Sequence, residues 1–153
     1  MGQQQLLFMV LGIIIVGFAA VYAITLFDVN NTKSNADAMV SEALRIASDI
    51  QAWAARPALV GGMQDGETMA DVTFADIAYP TSSGIYYSPN AEFTLSTSLG
   101  SECSAPIIPS TRPALIYINA TNSDIGNDIC VAIAGIDAAD IGTDTNYGSG
   151  ITP

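Results

Sequence analysis

Oxygen-bearing side chains crowd the C-terminal part of the chain, where Asp137, Asp140, Asp144 and Asn146 lie close together. Hard cations such as Ca²⁺ are held by several carboxylate and amide oxygens, so this cluster is a candidate cation site. Its spacing matches no EF-hand loop, and Asp and Asn next to glycine are the ordinary composition of a solvated turn. We therefore interpret residues 137–146 as a surface turn and predict no metal, with calcium binding as the alternative.

The chain has few of the side chains that nucleophilic and redox catalysis require. It contains no histidine and only two cysteines, which excludes His-based triads, His-ligated zinc and Cys-X-X-Cys redox sites. Carboxylates such as Asp124 and Asp128 hydrolyse glycosides only when a pair faces across a cleft, and nothing in the sequence places two there. We predict that the protein is not an enzyme and carries no cofactor.

The two cysteines, Cys103 and Cys130, are predicted to form one disulfide. Closing a loop of that length contributes on the order of 3 kcal/mol by restricting the unfolded chain. Such a bridge implies an exported, oxidising compartment. Two unpaired buried thiols are the alternative.

The charge of the chain limits its partners. Fifteen carboxylates face four cationic side chains, which gives a net charge of −11. Binding to nucleic acid needs clustered Lys and Arg that displace counterions from phosphates, so no nucleic-acid partner is expected. A strongly acidic surface instead keeps copies of a protein soluble and apart until specific contacts form.

The N-terminal part of the chain is apolar. Residues 6–27, LLFMVLGIIIVGFAAVYAITLF, contain no charged side chain. At about 1.5 Å per residue, a helix of this run matches the roughly 30 Å hydrocarbon core of a bilayer. We predict a transmembrane helix within residues 1–28. A cleaved signal peptide ending at Ala23 is the alternative, although no basic residue precedes the run.

Residues 29–57 are predicted to continue the helix in amphipathic form, because apolar residues recur there at intervals of three and four. Pro57 ends it, since the residue before a proline is pushed out of helical geometry. No proline interrupts residues 3–55, so one helix of about 80 Å is predicted, with the Asn- and Asp-rich step at 28–35 as a point of loosening. The residues predicted to pack on a sheet are Met39, Val40, Ala43, Leu44, Ala47, Ile50 and Trp53.

Residues 58–153 are predicted to form an acidic, β-rich domain. Short apolar or alternating runs indicate strands at residues 85–87, 92–97, 114–119 and 128–134, and residues 72–77 form a weak strand or a short helical connector. Three or four antiparallel strands laid on the helix stripe would bury both apolar faces. The predicted fold class is therefore α+β, with a long hydrophobic-then-amphipathic helix packed on a small antiparallel sheet and domains at 1–28, 29–57 and 58–153.

This order of elements resembles type IV pilins and pseudopilins. The resemblance lies in an uncharged, Gln-led N-terminus, an apolar helix of membrane length, an amphipathic continuation and a small β-rich domain. In that family the apolar helix first sits in the inner membrane and is then drawn into a helical filament, with globular domains facing outward. The resemblance implies a subunit that is membrane-anchored before assembly and then part of an extracellular filament on the cell surface. Its implied partners are further copies of itself, the inner membrane and the pilus assembly machinery.

The resemblance also implies which residues pack in the filament core. Gly12 and Gly17 are among them, since small residues let helices approach closely in apolar surroundings. One alternative is local unwinding at these glycines, which similar pilins show. The other is that glycine is common in membrane helices in general. The full set is Leu6, Leu7, Phe8, Val10, Leu11, Gly12, Ile13, Ile14, Ile15, Gly17 and Phe18.

The chain departs from the family at its N-terminus. Most pilins carry a basic leader that ends in glycine, whereas the only candidate leader here is Met1–Gly2. The family also usually has a glutamate at the fifth mature position, where this chain has Gln5 counted from Met1 or Leu7 counted from Gln3. Because a buried, unpaired ammonium is costly, we expect Gln3, Gln4 and Gln5 to solvate the terminal amine by amide hydrogen bonds.

A second class of function stays open from the sequence. The same apolar run would serve a stationary single-pass membrane protein, or a minor pseudopilin of a secretion system, whose periplasmic domain binds a partner.

Overall fold

The computed structural model describes residues 2–99, 107–110, 112–123 and 126–146. One long helix, α1 (Gly2–Ala54), precedes a single antiparallel sheet in the order β1-β2-β3-β4-β5. The α+β fold class is confirmed, with five strands rather than three or four. The strands are β1 (Tyr86–Tyr87), β2 (Glu92–Ser96), β3 (Ile116–Asn122), β4 (Asn127–Ile133) and β5 (Ile141–Asn146), and short 3₁₀ helices lie at Ala58–Val60, Met69–Asp71 and Ala138–Asp140.

The chain divides into two compact units, residues 1–34 and 35–153. The described part of the first unit is helical throughout, and the second contains the rest of α1 and the whole sheet. The predicted division at residues 28 and 57 rests on composition and stays a prediction.

The helix α1 continues without a break where the sequence changes from apolar to polar. Residues 28–35, the predicted point of loosening, are all helical, and Thr32 Oγ1 donates a hydrogen bond to the Asp28 carbonyl at 2.9 Å. At the other end, the Arg56 N–H donates to the Trp53 carbonyl at 3.1 Å, a three-residue spacing that tightens the last turn. Pro57 follows in extended conformation and stops the helix, as predicted.

The second unit has one core between α1 and the sheet. The sheet contributes residues that alternate along β3 and β4, as expected for one face of a pleated sheet. Val40 and Leu44 are half-buried beside this core. Ile46, which the predicted stripe omitted, is fully buried. The buried residues of α1 are Ala36, Met39, Ala43, Ile46, Ala47, Ile50 and Trp53, and those of the sheet face include Phe93, Ile116, Ile118, Ala120, Ile129, Val131 and Ile133.

An aromatic cluster joins the connection before the sheet to α1. The Tyr79 and Tyr86 rings meet edge to face with centroids 4.9 Å apart, a favoured aromatic geometry. The Tyr79 hydroxyl donates to Asp49 at 2.7 Å, and the Tyr86 hydroxyl donates to Glu42 at 3.0 Å. Residues 72–77 are predicted to form a weak strand or a short helical connector. In the structure they follow the Met69–Asp71 3₁₀ helix and form turns from residue 74 onward. These contacts hold the connection along the helix.

The prediction of a surface turn at residues 137–146 is wrong. A short 3₁₀ helix, Ala138–Asp140, leads into β5, which pairs with β4 along its whole length. The turn between β3 and β4 is also shorter than predicted, because Asn122 and Asn127 still pair across it. Backbone pairing with an existing sheet, rather than apolar side chains, makes β5 a strand.

Strand β4, the fourth of the five in the sheet, is buried on both faces. Cys130 and Ala132 point away from the helix-facing residues of β4, yet neither is exposed. Next to them, Gly142 lies so close to residues 107–108 that an added Cβ would come within 2.6 Å of the Ile107 carbonyl oxygen. Residues 107–108 therefore lie over this second face of the sheet, and glycine at 142 leaves room for them.

We expect Ile46→Ala to destabilise the second unit by about 2–5 kcal/mol, since truncating a fully buried side chain leaves a cavity. The measurement is denaturant unfolding of the full chain in detergent, followed by fluorescence of Trp53, the only tryptophan. Ser41→Ala, at an exposed position of α1, is the matched control and should leave the midpoint unchanged. Equal midpoints for both variants would contradict the assignment of Ile46 to the core.

Candidate functional site: an exposed apolar helix

The first unit presents apolar side chains on every side of the helix. All residues from 2 to 28 are exposed, and none of the apolar run is buried within the chain. Among the described residues, α1 is the one helix long and apolar enough to cross a membrane, by length and composition. Such a helix suits either membrane anchoring or a signal sequence.

The residues predicted to pack in a filament core all lie on this exposed stretch of α1. The exposed fractions of the large apolar residues among them run from 48% at Leu11 to 74% at Phe18. Gly12 and Gly17 are helical, without local unwinding, and nothing lies within 4 Å of the position that a Cβ would take at either. The chain's own packing therefore gives no reason for glycine at these two positions. The other predicted residues, all exposed, are Leu6, Leu7, Phe8, Val10, Ile13, Ile14 and Ile15.

The N-terminal glutamines are helical and exposed. Gln3, Gln4 and Gln5 begin α1 and precede the apolar run. Met1 lies outside the described residues, so the predicted hydrogen bonds between these amides and the terminal amine stay a prediction.

Physical chemistry limits where such a surface can reside. Each large apolar side chain gains about 1.5–3 kcal/mol when it leaves water, and this stretch carries more than a dozen of them. Along the apolar run 6–27, the backbone N–H groups have acceptors within the helix, as an apolar environment requires. The helix is therefore suited to hydrocarbon or to the apolar surface of another helix, and poorly suited to water.

The described acidic residues near the C-terminus make separate contacts. Asp140 is 1% exposed, and its Oδ2 lies 3.1 Å from Arg112 Nη1. The Asp137 N–H donates to the same oxygen at 3.2 Å. Asp144 lies in β5 opposite Cys130, and nothing is described of the Asn146 side chain. Within the described ranges, no three His, Cys, Asp or Glu side chains converge as metal ligands would.

Asp140 instead fixes the turn that leads into β5. Its carboxylate and the Asp137 side chain form a reciprocal capping box on the Ala138–Asp140 3₁₀ helix. The pKa of Asp140 is lowered, first by the Ser110 hydroxyl and then by the Asp137 N–H and the Arg112 charge, which together outweigh its burial. A side chain at Gly135 would collide with Asp140 and Arg112. The spacing Asp-x-x-Asp was the signal in the sequence for this cap.

A second group with a shifted pKa is Tyr79, which contacts Asp49 on the part of α1 that lines the core. Burial, followed by the hydrogen bond to Asp49, raises the pKa of Tyr79 to about 12. Arg45 lies over the same ring, 5.7 Å from its centroid. The neutral Tyr79 hydroxyl is therefore kept as a donor across the ordinary pH range, and the contact has a structural role.

The structure describes only one of the two cysteines that are predicted to form a disulfide. Cys130 is fully buried in β4, and the described part of the chain has no free cysteine. Cys103 lies outside the described residues, so its pairing with Cys130 stays a prediction.

We expect Asp140→Asn to lower the stability of the second unit at neutral pH and to matter less in acid. A carboxyl whose folded-state pKa lies below its ordinary value of 3.8 stabilises the fold above that value, and this contribution is lost as the pH falls through the lowered pKa. The gap in urea midpoint between wild type and variant should therefore be wide at pH 7 and narrow as the pH falls below 4. Asp65→Asn, at an exposed position, is the control, and a gap independent of pH would contradict the role of the charge.

Comparison with known proteins assigns the chain to no family. No family model, no curated protein and no solved structure matches it. Its arrangement of one long apolar N-terminal helix and a small antiparallel sheet is nevertheless consistent with a pilin-like architecture.

Proposed function

We propose that the protein is a structural subunit of an extracellular, type IV pilus-like helical filament that polymerises through its N-terminal apolar helix. The observation that carries this proposal is that two stretches of α1 have different surroundings. Its first stretch exposes apolar side chains in every direction, whereas its continuation forms the core of an acidic domain. No loop separates the two stretches.

Burial provides the mechanism. Before assembly, lipid covers the apolar side chains of residues 2–28, and in the filament the same side chains contact the helices of other copies. Because hydrocarbon and neighbouring helices are both apolar, the net gain per subunit is far smaller than the gross burial. Close packing must then supply the difference, and Gly12 and Gly17 permit it, since neither position is needed by the chain's own fold.

The acidic domain supports an outward position. The whole chain carries a net charge of −11, and carboxylates are stable where water solvates them. A filament with the helices inside and these domains outside keeps the charges hydrated.

A stationary membrane anchor is the second candidate function, and the apolar stretch alone favours it. A span needs only about 20 residues, and the exposed part of α1 is sufficient for that. In this case the acidic domain binds a partner, as in a minor pseudopilin of a secretion system. Shearing separates the two functions, because it releases filaments from cells and leaves single-pass proteins in the membrane fraction.

We expect Leu11→Lys to abolish filaments while the acidic domain stays folded. A lysine there would place an unpaired charge inside an apolar bundle, at a cost of several kcal/mol. Sheared fractions are examined by negative-stain microscopy, and near-ultraviolet circular dichroism reports the packing around Trp53. Leu11→Met, which keeps the apolar volume, is the matched control and should preserve filaments. Filaments of normal yield from Leu11→Lys would overturn the proposed bundle.

A further inference from the structure

An exposed apolar surface also lies in the second unit, just past the end of α1. Leu59 is 99% exposed and Val60 is 67% exposed, on the short 3₁₀ helix Ala58–Val60. Arg56 precedes them and is exposed as well. We call Arg56, Leu59 and Val60 the Leu59 surface.

Local hydrogen bonds hold the Leu59 surface in one shape. The Val60 N–H donates to the Pro57 carbonyl at 3.0 Å, and the Gly62 N–H donates to the same carbonyl at 3.3 Å. Gly61 has a φ of +82°, which favours glycine. Gln64 Nε2 also donates to the Gly62 carbonyl at 3.0 Å. A surface held in place before binding loses little conformational entropy when a partner covers it.

Arg56 places a positive charge next to these apolar side chains, in a unit whose charged residues are mostly carboxylates. Residues 35–153 contain 14 of the 15 carboxylates, all but Asp28, and three cations. Arg45 lies over the Tyr79 ring and Arg112 pairs with Asp140. In the described part of the chain, no side chain forms an ion pair or hydrogen bond with the Arg56 guanidinium. Arg56 is thus the cation of this unit that is available to a partner.

These features favour an anionic partner that offers some apolar surface. The second unit of another copy of this chain has that chemistry, because its surface is strongly acidic and exposes isolated apolar side chains such as Ile136. Repulsion between units of like charge opposes their contact. A cation beside an apolar pair lowers that repulsion at one defined place.

We propose that the Leu59 surface is a contact between the acidic units of neighbouring copies, with Leu59 and Val60 packed on the next copy and Arg56 facing its carboxylates. The proposal rests on the proposed function to the extent that assembly brings copies side by side. It assigns lateral specificity to residues outside the apolar helix.

Photo-crosslinking in cells that produce the full chain tests this contact. With benzoylphenylalanine at position 59, irradiation should give a ladder at multiples of the 15.9 kDa chain. The same probe at position 87 is the matched control, since Tyr87 is an exposed side chain of the same unit. It should give a much weaker ladder. No ladder from position 59, an adduct with a different protein alone, or equal ladders from both positions would overturn the proposal.

Charge reversal tests the role of Arg56. Arg56→Glu should reduce the ladder from position 59 by about tenfold, because it sets like charges against each other in the contact. Arg56→Lys keeps the positive charge and should preserve the ladder. Equal ladders from the two variants would overturn the electrostatic part of the contact.

The two proposals fail separately. Filaments in sheared fractions without a ladder from position 59 would overturn the Leu59 contact and leave the filament proposal standing. A ladder from position 59 in cells that yield no filaments would support contact between copies and overturn the filament proposal.

Discussion

The solvation of one helix constrains everything else in this protein. Along the apolar run 6–27, the backbone N–H groups of α1 are bonded within the helix and the apolar side chains are exposed. Water is an unfavourable environment for that surface, because the unfavourable free energy grows with each exposed apolar side chain. The chain therefore needs lipid or another apolar surface along this stretch. Its continuation meets the same requirement internally, since the seven buried residues of α1 belong to the core that the sheet also lines.

Charge and burial act on different parts of the chain. The apolar run 6–27 has no charged side chain, whereas residues 35–153 contain all carboxylates but one. In the second unit, the carboxylates that approach the core are satisfied by specific donors: Glu42 and Asp49 accept from tyrosine hydroxyls, and Asp140 accepts from Arg112. These contacts tie connections to α1 or to the sheet, so the buried part of the acidity stabilises the fold. In the proposed filament, the exposed carboxylates would repel those of neighbouring copies.

The sequence predicted the elements with strong periodicity and missed those defined by pairing. The apolar run, the helix end before Pro57 and the hairpin of β1 and β2 followed from local patterns, and the structure has them. The strand β5, IGTDTN, has few apolar residues, and it is a strand because its backbone pairs with β4 along its whole length. Ile46 was omitted because the predicted stripe was centred to one side of the true one. Asp140 looked like a solvated turn residue, since nothing local shows that Arg112 reaches it across the fold.

In the proposed filament, the balance of forces gives a surface outside the helix a role in assembly. Exchange of lipid for neighbouring helices leaves a small net free energy, because both environments are apolar. Repulsion between second units, each of which carries the whole net charge of −11, opposes the same step. Neither the apolar exchange nor the charge repulsion depends on a particular alignment of two copies. Together they therefore set no register between copies. Register requires a contact that is rigid, apolar at its centre and opposite in sign to its surroundings. In the second unit, the turn after α1 combines those three properties, because hydrogen bonds fix it, Leu59 and Val60 are exposed on it, and Arg56 adjoins it.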